Sequence, residues 1–360
     1  AELMLKNLLA MRLQDDFQEV LEETEAAHAV TPAIAVLALR NSMTVSNLDA
    51  TLKLIQQFAD PLKASMGTTA SSAPQQLMQQ LIQLSLQQES MPALFDRLAG
   101  CGLLKSWVFE AALKECVPKG SKGNAQLLRE LDELSHKHSV ELPDAARVVL
   151  LRGAGAAEDA LRLLADGAER GPVSKDVLLA ALDASIAHRS SALTEAVVQH
   201  LPKTPTPDVA SALLRSIVEG PMRGKDADNA ILRTYEKHLS TVDLLMDTRT
   251  GRLVAEVALR RKRPEVLEQL LRLTNETPRI VGLLKSFASE HRLADAVAVF
   301  QACPQKTACM YNCLLDACID CHDIELAERT MAEAVAAGMA DVVTYNTIIK
   351  KHLQHGHFER

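Results

Sequence analysis

Aromatic residues and alternating hydrophobic runs are both scarce in this chain of 360 residues. Aromatic residues make up 3% of the sequence, with a single tryptophan. No segment alternates apolar and polar residues in the way that half-buried strands do, which argues against a sheet-based fold. Leu and Ala dominate the apolar residues, and this composition favours helix throughout. Hydrophobic residues at 48% and charged residues at 24% predict an ordered, soluble chain, and the lack of alternating runs predicts that it is all-α.

Membrane, targeting and catalytic signatures are also missing. The longest apolar run, Ala29 to Leu39, contains Pro32 and is too short to span a bilayer. The start of the chain is acidic, unlike a transit peptide. No Gly-rich phosphate loop, nucleophile elbow or metalloprotease motif is present. We therefore expect no membrane span, no cofactor and no enzymatic activity.

Acidic residues exceed basic ones, but most of the excess lies at one end of the chain. The net charge is −7, and residues 1–30 contain seven acidic and two basic residues, which gives that segment −5. The rest of the chain therefore carries −2 and is nearly neutral. A net negative charge argues against a nucleic-acid partner, but this distribution weakens the argument.

Seven cysteines without a secretory signal indicate free thiols in a reducing compartment. Five of them lie between Cys303 and Cys321, and the Cys318-x-x-Cys321 spacing beside His322 suggests a zinc site. Against zinc, Cys309, Cys313 and Cys318 follow helical spacing, and cysteine packs well as a small core residue. We therefore expect no metal.

A repeat is visible near the end of the sequence. The segment Tyr311–Leu315 returns 34 residues later as Tyr345–Ile349, and a fixed period of this size indicates a repeat array. Apolar residues at i, i+3, i+7 and i+10 mark the second helix of each unit, and Gly338 suits the left-handed end of such a helix. The spacing recurs nine times, starting at Leu48, Met91, Asn124, Ala157, Leu193, Asp228, Pro264, Leu293 and Ile324.

The repeats divide the chain into three predicted parts. Residues 1–30 form an acidic helical N-terminal segment, and residues 31–140 form degenerate helical repeats with a flexible loop at 60–74, where Ser, Thr, Gly and Pro are frequent. Residues 141–360 form clearer repeats, and the last repeat stops partway at Arg360. We therefore expect the chain to be a piece of a longer protein.

The clearest repeats resemble those of the pentatricopeptide repeat family. The segment Asp341–Ile349 is similar to that family's junction, in which Asp closes one repeat and V-x-T-Y-N opens the next. Leu293–Ala296 and Ile324–Glu328 are similar to the family's second-helix opening. The resemblance is strong over 277–360 and continues in degenerate form back to about 141. It implies a right-handed superhelical α-solenoid of tandem helix-turn-helix repeats that binds single-stranded RNA in a chloroplast or mitochondrion.

The resemblance also implies which residues contact RNA. Asn312 and Asp341 would together hydrogen-bond one base edge, a combination that the family associates with uridine. Val343 and Cys309 would pack against base faces, and Asn346 would begin the next reading pair. In the preceding 31-residue unit, the equivalent reading pair is Val281 with Thr307.

Several of these features have ordinary alternatives. Asp341 is also a good N-cap for the helix that follows it. The basic run Arg260–Arg263 would contact phosphates in one interpretation and would stabilise a helix C-terminus at a turn in the other.

Two functions follow from the sequence. The first is a non-catalytic RNA-binding protein that acts in RNA stabilisation, processing or translation. The alternative is a protein–protein scaffold, or a structural subunit of a larger organellar complex, with protein partners along the solenoid surface.

Overall fold

The structure is a computed structural model. It describes residues 1–45, 47–66, 72–117, 124–169, 171–274 and 276–354. The chain divides into two compact units, Ala1–Asp166 and Gly167–Arg360. The predicted boundary at 140/141 separates degenerate repeats from clearer ones by their resemblance in sequence, not by their packing. This boundary stays a prediction.

Helices form almost all of the regular structure in the described ranges, and no strand occurs there. The first unit, with the last helix crossing its boundary, contains α1 Glu2–Met11, α2 Gln14–Ala26, α3 Pro32–Thr44, α4 Leu48–Gln57, α5 Ala59–Met66, α6 Ser72–Gln87, α7 Met91–Gly100, α8 Ser106–Cys116, α9 Ala125–Lys137, α10 Asp144–Gly153 and α11 Ala157–Ala168. The second unit contains α12 Lys175–His188, α13 Ser191–Gln199, α14 Pro207–Glu219, α15 Gly224–Thr234, α16 Thr248–Arg260, α17 Pro264–Leu273, α18 Thr277–Ala288, α19 Leu293–Ala302, α20 Ala308–Asp320, α21 Ile324–Ala336 and α22 Val342–Gln354. Among these helices, none combines the length and the hydropathy needed to cross a membrane.

The helices of each unit pack as successive pairs. In the first unit, α3, α6, α8 and α10 contact one another in order, and so do α4, α7 and α9. In the second unit, α12, α14, α16, α18, α20 and α22 form the same kind of series. Each pair thus contributes a first helix to one layer and a second helix to another. The predicted all-α helical repeat fold is confirmed.

The predicted starts of the second helices agree with the structure. Six of the nine coincide with the first residue of a helix, namely α4, α7, α11, α17, α19 and α21. Asn124 is the N-cap of α9, and its side chain accepts a hydrogen bond from the Gln126 N–H at 3.0 Å. The helices α13 and α15 begin two and four residues before the predicted positions. Helical spacing of apolar residues therefore located the repeats well.

The last complete pair shows why the spacing was informative. Tyr311, Leu314 and Leu315 of α20 are all at most 3% exposed. The Tyr311 ring meets the Phe300 ring edge-on, with centroids 4.9 Å apart, and its hydroxyl donates to Glu333 Oε1 at 3.1 Å. Burying each large apolar side chain contributes about 1.5–3 kcal/mol, so the apolar stripe of α20 stabilises the contacts with its neighbours.

The predicted flexible loop at 60–74 needs correction. Residues 59–66 form α5 and residues 72–87 form α6, while residues 67–71 lie outside the described residues. Pro61 is in the first turn of α5, where its missing N–H has no helical partner to lose. Leu62 is 1% exposed, and α5 packs against α3. The long interval between the first two repeats therefore contains an additional helix.

Gly338 ends α21 in the left-handed conformation, as predicted. Its φ is 65°, and its N–H donates to the Val335 carbonyl at 3.0 Å. The Met339 N–H donates to the Ala334 carbonyl at 2.9 Å. These two hydrogen bonds form a Schellman motif, which needs a positive φ at the residue that follows the cap.

Replacing Gly338 by alanine should destabilise the second unit by about 1 kcal/mol, because a Cβ disfavours the left-handed region. A matched control is Gly282→Ala in the middle of α18, where the added methyl group meets no atom within 4 Å. That change should stabilise the unit by about 0.5–1 kcal/mol, since glycine is a poor helix former. Urea unfolding of both variants measures the two effects, and shifts of the same sign would contradict the assignment.

Candidate nucleic-acid interface

Asn312 and Asp341 lie together on the surface of the second unit. Asn312 is the fifth residue of α20, and Asp341 immediately precedes α22. The two helices pack side by side, and Asn312 Nδ2 donates to Asp341 Oδ1 at 3.1 Å. Packing of successive first helices therefore joins two residues that are 29 positions apart in the sequence.

Asp341 also caps α22 through a reciprocal pair of hydrogen bonds with Thr344. The Thr344 N–H donates to Asp341 Oδ1 at 2.9 Å, and the Asp341 N–H donates to Thr344 Oγ1 at 2.9 Å. This arrangement satisfies two backbone groups at the start of the helix. The N-cap interpretation of Asp341 is confirmed, and it is compatible with the contact to Asn312.

The buried Thr344 hydroxyl fixes the orientation of the Asn312 amide. Thr344 Oγ1 lies 2.6 Å from Asn312 Oδ1, so the hydroxyl donates to the amide oxygen while the amide nitrogen faces Asp341. Hydrogen-bond partners of this kind decide which way an amide points. One N–H and one oxygen lone pair of Asn312 remain for another molecule.

Hydrogen bonds also stabilise the ionised form of the Asp341 carboxylate. The Thr344 backbone N–H, and after it the Asn312 amide, are the largest causes that hold the pKa of Asp341 below its ordinary value. Each of these groups donates to the charged form and stabilises it. The side chain of Asp341 is exposed, so the carboxylate remains accessible from solvent.

Apolar side chains flank the Asn312–Asp341 pair. Cys309 and Val343 are the second residues of α20 and α22, and both are exposed. Val343 is 55% exposed and is therefore accessible to a ligand. Asn346 is exposed one turn further along α22. These predicted residues therefore share the solvent-facing side of the first-helix layer.

Val281 and Thr307 do not form a second pair of this kind. Val281 is the fifth residue of α18 and is 7% exposed, within the core of the second unit. Thr307 is the N-cap of α20, but its hydroxyl is buried and has no hydrogen-bond partner among the described residues. An apolar side chain at the fifth position offers no hydrogen bond that would hold it at the surface. The pair presents no exposed polar atom to a base.

The structure contains a second arrangement that sequence reasoning missed. Asp247 is the N-cap of α16, and Thr250 Oγ1 donates to Asp247 Oδ2 at 2.5 Å. The hydroxyl of Ser211, the fifth residue of α14, also acts to lower the pKa of this carboxylate. Burial acts to raise the pKa of Asp247, but bonds from Thr250 and the Arg249 N–H, together with the Ser211 hydroxyl, outweigh it, so the pKa is lowered. The shared Asp-x-x-Thr pattern was the available signal.

The basic run Arg260–Arg263 lies at a turn between two helices. Arg260 ends α16, Lys262 adopts a left-handed φ of 54°, and Arg263 precedes α17. Arg260 Nη2 lies 3.4 Å from Asp228 Oδ1, and Arg263 Nη2 lies 2.5 Å from Glu236 Oε1. Cations at a helix C-terminus with acidic neighbours fit the structural interpretation of this run.

Three of the five clustered cysteines contribute to the core, whereas Cys309, which was expected in the core from its helical spacing, is exposed and Cys321 is half-buried. Cys303, Cys313 and Cys318 are buried, and burial raises the pKa of the Cys303 thiol to about 12 and that of Cys313 to about 11. Such thiols remain protonated and behave as small apolar groups. No cluster of three or more His, Cys, Asp or Glu side chains suited to a metal occurs in the ranges that the structure describes.

No family model and no curated protein matches the chain. Among solved structures, it is similar to the pentatricopeptide repeat protein PPR10 from maize, with 15% identity over 96% of this chain and a TM-score of 0.32. The complex of PPR10 with an 18-nt psaJ RNA element aligns at 15% identity over 95% of the chain, with a TM-score of 0.33.

A circular tandem repeat protein aligns at 14% identity over 99% of this chain and 89% of its own length, with a TM-score of 0.20. The chain spans 55% to 60% of the length of the PPR10 structures.

The titration of Asp341 tests the hydrogen bonding of the candidate site. In Asn312→Ala the pKa of Asp341 should rise but stay below its ordinary value, because the hydrogen bond from the Thr344 N–H remains. A carboxyl group with a lowered folded-state pKa stabilises the protein above its unfolded pKa of about 3.9, and that stability is lost as the pH falls through the lower folded value. Nuclear magnetic resonance of selectively labelled aspartate measures the change. An unchanged pKa would show that Asn312 does not contact the carboxylate.

Proposed function

We propose that this chain binds single-stranded RNA without catalysing a reaction, and that Asn312 and Asp341 contact one base. The observation that carries the proposal is the amide of Asn312, fixed between Asp341 and Thr344 while keeping a free donor and acceptor. A fixed amide at the surface has the donor–acceptor pattern that recognises base edges. Single-stranded RNA exposes those edges.

The edge of uracil suits this amide. Uracil presents an N–H donor beside a carbonyl acceptor, which match the remaining lone pair and N–H of Asn312. Cys309 and Val343 are exposed near the pair, one turn before Asn312 on α20 and two residues after Asp341 on α22, and their apolar side chains would pack against the faces of the base. The uridine preference implied by the family resemblance therefore has a physical basis in these side chains.

Ser211 and Asp247 would form a second base contact in the same layer of first helices. A hydroxyl can donate and accept, as an amide can, but it has a single hydrogen and makes a different pattern with a base. The two sites together would bind an extended strand along the series of first helices. One base per helical repeat is an established way to read RNA.

RNA binding of this kind would stabilise a transcript or present it for processing or translation. The setting in a chloroplast or mitochondrion follows from the family resemblance alone, and it stays a prediction. We propose no chemical step, since the site consists of groups that bind rather than react.

A protein–protein scaffold is the second candidate, and the ion pairs of the second unit favour it. Arg252 forms ion pairs with two carboxylates, through Nε to Glu256 Oε1 at 2.8 Å and through Nη2 to Glu290 Oε1 at 2.5 Å. Lys306 Nζ forms an ion pair with Glu333 Oε1 at 2.8 Å. Cations that are already neutralised by carboxylates contribute less to binding phosphates. The net charge of −7 acts in the same direction.

Replacing Asn312 by alanine should weaken the binding of a labelled oligo(U) RNA. Loss of a two-point base contact reduces affinity by about tenfold, within the ~1–3 kcal/mol that such contacts contribute. Fluorescence anisotropy at fixed salt measures the affinity of both proteins. The preference of the wild type for oligo(U) over oligo(A) should decrease in the variant.

Asn229→Ala serves as the matched control, because Asn229 lies in α15, a second helix, away from the proposed contact. This variant should bind oligo(U) like the wild type. Equal affinity of the wild type and Asn312→Ala would reject the proposed base contact. Absence of RNA binding by the wild type would favour the scaffold.

A further inference from the structure

A polar cleft in the first unit is separate from the candidate RNA-binding surface. The cleft has a volume of about 840 Å³ and lies among α1, α3 and α6, with one residue from the start of α2. Six of its twelve lining residues carry side-chain amides, namely Gln14, Asn41, Gln76, Gln80, Gln83 and Gln87. Half of the lining therefore consists of neutral groups that donate and accept hydrogen bonds.

All charged residues that line the cleft are basic. Arg12 and Arg40 are part of the lining, and no Asp or Glu is. Neither arginine has an ion-pair or hydrogen-bond partner for its side chain within the described part of the chain. Guanidinium groups bind carboxylates in a two-point geometry. The cleft is thus suited to a ligand that carries carboxylate groups on an otherwise neutral framework.

Most of the glutamine side chains of α6 that line the cleft are also free to bond a ligand. Gln83 Nε2 donates to Glu115 Oε2 at 2.9 Å, whereas Gln76, Gln80 and Gln87 have no side-chain partner among the residues that the structure describes. In a chain whose surface contains many side-chain hydrogen bonds, three neighbouring amides without partners leave donors and acceptors for a ligand. Water satisfies them when the cleft is empty.

The spacing of the glutamines matches an extended polypeptide. Residues 76, 80, 83 and 87 follow one face of α6, and at about 1.5 Å per residue they span about 16 Å. An extended peptide rises by about 3.3 Å per residue, so about five residues cover this distance. A side-chain amide offers an N–H and a carbonyl, which complement the carbonyl and N–H of a peptide group.

We propose that this cleft binds an extended segment of a partner protein that carries Asp or Glu side chains. The glutamines of α6 would bond the peptide backbone, and Arg12 and Arg40 would bind the carboxylates. Single-stranded nucleic acid is the less suitable ligand, because Gln76, Gln80 and Gln87, unlike Asn312, are not oriented towards a base edge by neighbouring side chains in the described ranges, and stacking groups and cations that could compensate are few. The lining of this cleft has no aromatic residue and only two cations. The proposal is independent of RNA binding.

Selection from a phage library of random peptides tests the proposal. Peptides selected on the full chain should be enriched in Asp and Glu, and their affinity should fall about tenfold for Gln76→Ala/Gln80→Ala, which loses two hydrogen bonds. Arg12→Gln/Arg40→Gln should remove the preference for Asp and Glu over Asn and Gln at the same positions. Fluorescence anisotropy with the selected peptides measures each affinity.

Gln75→Ala/Gln79→Ala is the matched control, since both residues are exposed on α6 but do not line the cleft. It should leave peptide affinity unchanged, and circular dichroism checks that every variant is folded. Selected peptides that bind all variants alike, or a selection that yields no binder, would overturn the proposal. Oligo(U) binding that depends on Gln76 and Gln80 would assign the cleft to nucleic acid instead.

Discussion

The packing of each first helix against the first helix of the next pair is the contact on which the rest of this structure depends. A single helix pair leaves one apolar face uncovered, and stacking covers it. In the second unit this contact brings α18, α20 and α22 together in order. It also places the fifth residue of one helix beside the N-cap of the next. The same packing therefore provides both stability and the geometry of Asn312 with Asp341.

Most of the fold could be predicted from the sequence, because the same apolar spacing recurs in each repeat and marks where its second helix begins. Apolar residues at helical spacing located the second helices within four residues of their observed starts. The additional helix α5 could not be found in this way. It belongs to no repeat, and Pro61 suggested a break although proline is tolerated in a first helical turn. Whether Pro61 begins a helix or interrupts one depends on the packing of Leu62, which is a tertiary contact.

The candidate site was less predictable than the fold. Asn312 and Asp341 were identified through a family resemblance, and the role of Thr344 in orienting the amide was not. Val281 occupies the equivalent position to Asn312 but is buried. Ser211 and Asp247 were missed because 36 residues separate them rather than 29. The extra residues include a turn of π-helix at Tyr235–Leu239. Because of such an insertion, a search for residue pairs at one fixed sequence spacing does not find this pair.

The charge of the chain constrains how it could hold RNA. Proteins that bind through phosphates release counterions, and their affinity falls steeply with salt. Here Lys306 is paired with Glu333, and Arg252 with Glu256 and Glu290. The affinity of the proposed complex would then come mainly from base edges and base faces. Such binding depends on the identity of each base and on several neighbouring sites acting together. A chain with few complete reading pairs would therefore need either a short, well-matched target or a second partner to increase its affinity.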